Sequence, residues 1–101
     1  MKTWRERIAE ARERGEFTED DAEAWSSSET CFVGEAIRNA WGEFRVELFF
    51  KVDDLPMTRA RYGTQIATRL ALLDNNFDEA ERLLDAIEDR AMELKREQVG
   101  K

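Results

Sequence analysis

At 101 residues the chain is long enough for one domain and too short for two. Its 42% hydrophobic and 10% aromatic content argues against disorder, and its 39% charged content, against about 25% in ordinary domains, suits a small helical protein with long solvated faces. A net charge of −7 argues against direct nucleic-acid binding through phosphates, the absence of histidine removes the commonest general base and metal ligand, and the single cysteine excludes an internal disulfide.

The first predicted helix runs from Trp4 to Arg14. Thr3 and Glu6 have capping-box spacing, Trp4, Ile8 and Ala11 share one face, and Gly15 is placed to stop the helix in the left-handed conformation. A second helix begins after Phe17. Thr18 and Asp21 repeat the capping pair, while Glu19, Asp20 and Asp21 complement the positive end of the helix dipole. Ala22 and Trp25 are its inward residues, and the serines at 26–28 weaken it. Residues 29–41 again have helical spacing, with Val33, Ile37, Ala40 and Trp41 on one stripe, Phe32 and Ala36 widening it, and Gly42 as a stop.

Residues 43–52 satisfy two periods. Phe44, Val46, Leu48, Phe50 and Val52 alternate as in a strand, whereas Trp41, Phe44, Leu48, Val52 and Leu55 fit a helix. A lone strand has no partner elsewhere in the chain, so helix is preferred; the alternative is one short strand at 44–50 that pairs with a second copy. Asp53-Asp54-Leu55-Pro56 is a break, because Pro56 disfavours a helical Leu55 and suits the start of the next helix. That helix is expected to reach Asp74 with Tyr62, Ile66, Leu70 and Leu73 on one stripe. Asn75-Asn76 then turns the chain into a last helix over 79–97, with Asp78 and Glu81 as its capping pair and Ala80, Leu83, Leu84, Ile87, Ala91 and Leu94 inward. The predicted fold is all-α, a single small bundle of four to five helices ending in an antiparallel helical hairpin.

Within that hairpin, Leu72-Leu73-Asp74-Asn75-Asn76-Phe77-Asp78-Glu79-Ala80 resembles the turn and second helix of a tetratricopeptide repeat, with Phe77 and Ala80 at the aromatic and small positions. The first-helix signature of that family is absent and the pattern occurs once, whereas an array needs about three units. Trp4-Arg5-Glu6-Arg7-Ile8, the FTEDD run at 17–21 and the TCFVGE run at 30–35 resemble a group of small proteins encoded in bacterial genomes and their phages or prophages. The resemblance brings no activity with it. It implies a mobile-element origin, where small acidic inhibitors of host enzymes, anti-CRISPR proteins among them, are common.

No phosphate-binding loop, cofactor fingerprint or metal-ligand spacing is present, so a non-enzymatic binding domain without cofactor or metal is expected. Cys31 lacks a histidine base and reads as a buried, inert thiol, and Glu35 reads as an exposed carboxylate, with a buried, hydrogen-bonded one as the alternative. No apolar run of about 18 residues occurs and the N-terminus lacks a signal-peptide pattern, so the cytoplasm is the expected location. The acidity is local. Residues 15–35 carry seven acidic groups and no basic one, and the rest of the chain balances to zero. Glu16, Glu19, Asp20, Asp21 and Glu23 are therefore the candidate contacts to a protein partner with a basic surface, such as a nucleic-acid groove on a host protein. If the second helix lay beside the outer face of the last, the two would form a continuous negative surface. Phe49 and Phe50, adjacent and unable to face one core together, are the candidate contacts for a homodimer or assembly interface. A helical adaptor acting through that interface is the alternative function.

Overall fold

The computed structural model describes residues 3–25, 31–53 and 64–99, apart from the side chains of Phe49, Phe50, Asp53, Thr64 and Val99. Its order is α1 (Trp4–Arg14), α2 (Glu19–Glu23), α3 (Phe32–Trp41), α4 (Val46–Asp53), α5 (Thr64–Leu73) and α6 (Phe77–Val99). The described residues contain no strand, and residues 46–53 are helical, which resolves the ambiguous segment in favour of the 3.6-residue period. Leu48 and Val52, four apart, are buried while Val46 is exposed, as one inward helical stripe requires. The described residues form six helices, against the four to five expected.

α6 is the central element. Its Ala80, Leu83, Leu84, Ile87 and Ala91 are buried in one stripe, and it packs chiefly on α3 and on its hairpin partner α5. α3 supplies Phe32, Val33, Ala36 and Ile37 to the same core. Two side-chain bonds lock α3 in place. The Trp41 indole Nε1–H donates to the Ala91 carbonyl at 2.8 Å, and the Val33 N–H, an orphan donor of the first turn of α3, donates to Gln65 Oε1 of α5 at 3.1 Å. The start of α3 is capped by Cys31, whose Sγ accepts from the Gly34 N–H at 3.2 Å. The thiol is buried, and its position at the cap is a role the sequence reading did not assign.

Three sequence expectations need correction. Ile66 and Leu70 are about half exposed, and the inward residues of α5 are Thr68 and Leu72, which are fully buried. Of the expected stripe, Ile66 and Leu70 therefore lie outside the core while Leu73 packs against it; Tyr62 and the expected start of this helix at Pro56 lie outside the described residues. The last helix begins at Phe77, and Asn76 Oδ1 accepts from the Glu79 N–H at 3.3 Å in its first turn. Asp78 and Glu81 are instead bound by Arg12 from α1. Finally, Glu35 is not exposed: it is 2% accessible in the first turn of α3.

Candidate binding surface

The N-terminal unit is built by two caps and a turn. Thr3 Oγ1 accepts from the Glu6 N–H at 3.2 Å to start α1, and Gly15, at φ +82°, ends it by returning its N–H to the Ala11 carbonyl at 2.9 Å. The chain then reverses into α2. Thr18 and Asp21 form the complete reciprocal box: Thr18 Oγ1 accepts from the Asp21 N–H at 3.2 Å, and Asp21 Oδ2 accepts from the Thr18 N–H at 2.8 Å. Thr18→Ala is expected to cost about 1 kcal/mol in urea denaturation, with Thr18→Ser restoring most of it. Phe17, between the turn and the cap, is buried, and its N–H donates to Asn75 Oδ1 at 3.1 Å. That bond fastens the α1–α2 corner to the α5–α6 turn, where Asn75 adopts φ +58°.

Trp25, 2% exposed, lies beneath this corner. Its ring centroid is 6.0 Å from that of Phe17 and 4.1 Å from that of Phe32, the latter edge-on. The guanidinium of Arg7 lies over the same indole at 5.0 Å and is 3.5 Å from the carboxylate of Glu35. Arg38 approaches that carboxylate at 3.7 Å. Neither oxygen of Glu35 nor the Trp25 Nε1 has a hydrogen-bond partner among the described residues. Burial pushes the Glu35 carboxyl up, and Arg7, Arg38 and the nearby Trp25 indole offset this only in part. Between α1 and α2 lies a groove of about 230 Å³ lined by Arg7, Glu10, Arg14, Phe17, Asp21, Ala24 and Trp25.

The acidic candidates fall into two sets. Glu19 pairs with Arg69 of α5 at 2.9 Å, and Asp21 pairs with Arg14 at 2.8 Å. Burial would raise the Asp21 carboxyl, but the bonds from Thr18 and the charge of Arg14 outweigh it and hold the group below the usual carboxylate range. Glu16, Asp20 and Glu23 are exposed and make no ion pair among the described residues. The two acidic surfaces do not merge. α2 packs on α5, while α1 packs on α6 and lays its arginines on the carboxylates there. Arg5 binds Asp85 at 2.5 Å and Glu88 at 3.1 Å, and Arg12 binds Asp78 at 2.7 Å as well as Glu81. Within the acidic segment the exposed carboxylates without an ion pair among the described residues are thus Glu16, Asp20 and Glu23.

For Phe49 and Phe50 the backbone is placed in α4, but their side chains lie outside the described residues. Of the arginines that a nucleic-acid contact would use, Arg38 pairs with Glu35, Arg45 with Glu47 at 2.9 Å while lying over Trp41, and Arg69 with Glu19; Arg59 and Arg61 lie outside the described residues. No helix among the described residues is long and apolar enough to cross a membrane. Arg7, Glu10, Arg14, Trp25 and Glu35 are the site residues that sequence reasoning missed. Arg7, Glu10 and Arg14 follow an i, i+3, i+7 spacing, a signal that could have placed them on one face of α1.

Comparison with protein-family models, curated proteins and solved structures gives no match for this chain. The resemblances to a tetratricopeptide hairpin and to small phage-encoded proteins therefore gain no support from relatives.

Proposed function

We propose that the protein is a small non-enzymatic binding domain that docks a basic surface of a protein partner through the edge formed by Glu16, Asp20 and Glu23. One observation carries the reading. Glu16, Asp20 and Glu23 crowd one short stretch of chain, exposed and without an ion pair among the described residues, while the carboxylates facing α1 on α6 are neutralised internally. An acidic edge on a rigid helical body offers what a basic nucleic-acid groove recognises, without a phosphate backbone. The partner class is accordingly a nucleic-acid-binding protein, and the activity is inhibition by occupation of its groove, in the manner of small phage or mobile-element inhibitors acting in the cytoplasm.

The test is capture of partners from a bacterial lysate by immobilised protein, followed by elution with a nucleic-acid duplex. Glu16→Lys/Asp20→Lys/Glu23→Lys is expected to lose the captured species, and the duplex is expected to displace it from the wild type. Capture that survives the triple reversal would count against the reading.

A self-associating helical adaptor is the second reading, favoured by one observation: Ile66 and Leu70, four residues apart on α5, are 46% and 51% exposed. Sedimentation velocity decides it, since a monomer at high concentration removes self-association.

A further inference from the structure

We propose that Glu35 is a proton-operated latch: ionised, it holds Arg7 closed over Trp25, and protonated, it releases Arg7 and uncovers that ring to the groove between α1 and α2. The geometry carries the inference. Glu35 is 2% accessible, and neither of its oxygens accepts a hydrogen bond among the described residues. An ionised carboxylate persists in such a place only beside compensating charge. Arg7 and Arg38 supply it, both at Oε1, at 3.5 and 3.7 Å. These distances exceed the roughly 2.7–2.9 Å of a charge-assisted hydrogen bond, so it is charge attraction that keeps the two guanidiniums there.

The two arginines are not equivalent. Arg38 stands one turn along the same helix and stays near Glu35 whatever the charge of that group. Arg7 comes from α1, and its side chain is 25% exposed. Its other contact is the face of Trp25 at 5.0 Å, a weak hold for a guanidinium within reach of water. Once Glu35 takes a proton from water, Arg7 loses its charge partner and gains more from solvation than from the ring alone. Arg7 and Trp25 both line the groove, so the swing of Arg7 into solvent exposes the indole there.

The surrounding charges leave this step to Glu35. α4, α5 and α6 also pack on α3, but among the described residues only Arg7 and Arg38 act on Glu35 through their charge. The other ionisable groups of the groove are Glu10, Arg14 and Asp21. Burial raises Asp21, but the bonds from Thr18 and the charge of Arg14 hold it below the ordinary 3.8, on the far acid side of the Glu35 step.

The test is a pH titration of the whole protein by NMR, following the Glu35 carboxyl carbon, the Arg7 Nε–H and the Trp25 indole N–H. Burial favours the neutral acid, so Glu35 is expected to titrate above the ordinary 4.5, with all three signals sharing one midpoint. Nuclear Overhauser contacts from the Arg7 Cδ protons to the Trp25 ring are expected above that midpoint and lost below it, while far-UV circular dichroism stays constant. Glu35→Gln is expected to hold the Arg7 and Trp25 signals at their acid positions at every pH. Arg7→Gln is expected to raise the Glu35 midpoint by at least about half a pH unit and to remove most of the Trp25 step. Glu10→Gln is expected to leave the transition in place. Overhauser contacts that persist below the midpoint, a step that coincides with loss of helix, or a Trp25 step that survives in Glu35→Gln would each overturn the inference. The first two readings come from the wild type, so they decide the matter even where a variant fails to fold.

Discussion

Trp25→Ala is expected to lower the unfolding free energy by about 3–5 kcal/mol, the usual cost of truncating a buried tryptophan. The ring is 2% exposed and stacks with Phe17 from the α1–α2 corner and Phe32 from the start of α3, so its loss opens a cavity where the N-terminal unit meets the core. A domain of this size has about 5–15 kcal/mol in total, so the variant is expected to unfold at markedly lower urea. The Arg7 guanidinium loses its aromatic support at the same time. A loss below about 1 kcal/mol would mean that the corner is not packed on α3 as described.

Glu35→Gln is expected to stabilise the protein at neutral pH by on the order of 1 kcal/mol, because a buried charge without hydrogen bonds is replaced by a neutral amide of the same shape. The sign follows from the direction of the shift. Burial raises the folded-state value above the ordinary 4.5, so the native state holds this proton more tightly than the unfolded chain does. The contribution of Glu35 is therefore fully present below the unfolded value and is lost as pH rises through the folded value. Wild type and variant should have similar melting temperatures at acid pH and diverge in favour of the variant toward pH 8. Asp21 works in the opposite sense. Its folded value is depressed, so its contribution is present above the ordinary 3.8 and lost as pH falls through the folded value. A Glu35→Gln variant that is less stable than wild type at neutral pH, by a margin growing with pH, would show that Arg7 and Arg38 outweigh desolvation.

Local signals were the most legible part of the fold. α1 was readable in full from its cap, its Trp4–Ile8–Ala11 stripe and Gly15, and the Thr18–Asp21 box was readable from spacing alone. For α4 the helical spacing of Leu48 and Val52 and the lack of a second strand favoured helix, but the alternation of Val46, Leu48, Phe50 and Val52 kept a strand open. α5 misled because Ile66 and Leu70 make a clean apolar stripe that tertiary packing leaves outside, whereas Thr68 is buried in their stead. No periodicity rule anticipates a buried threonine when apolar residues stand two positions away on either side. Glu35 misled for a related reason. A glutamate in a first turn is ordinarily solvated, and its burial depends on Arg7, which is 28 residues away in sequence. The acidic segment was visible as composition, but which of its carboxylates remain unpaired depended on Arg14 and Arg69 coming close.

The central claim is that the position of the exposed carboxylates, and not the overall charge of −7, creates the binding surface. Two charge-matched variants test it most directly: Glu16→Lys/Asp20→Lys/Glu23→Lys at the edge, and Glu43→Lys/Asp89→Lys/Glu97→Lys at exposed positions elsewhere. Their affinities for the purified captured partner are compared by calorimetry at one ionic strength. The account predicts that the edge variant loses binding by at least about a hundredfold, or ~2.7 kcal/mol, while the control stays within a few-fold of wild type. Equal losses in the two variants would contradict it, because total charge alone would then account for binding.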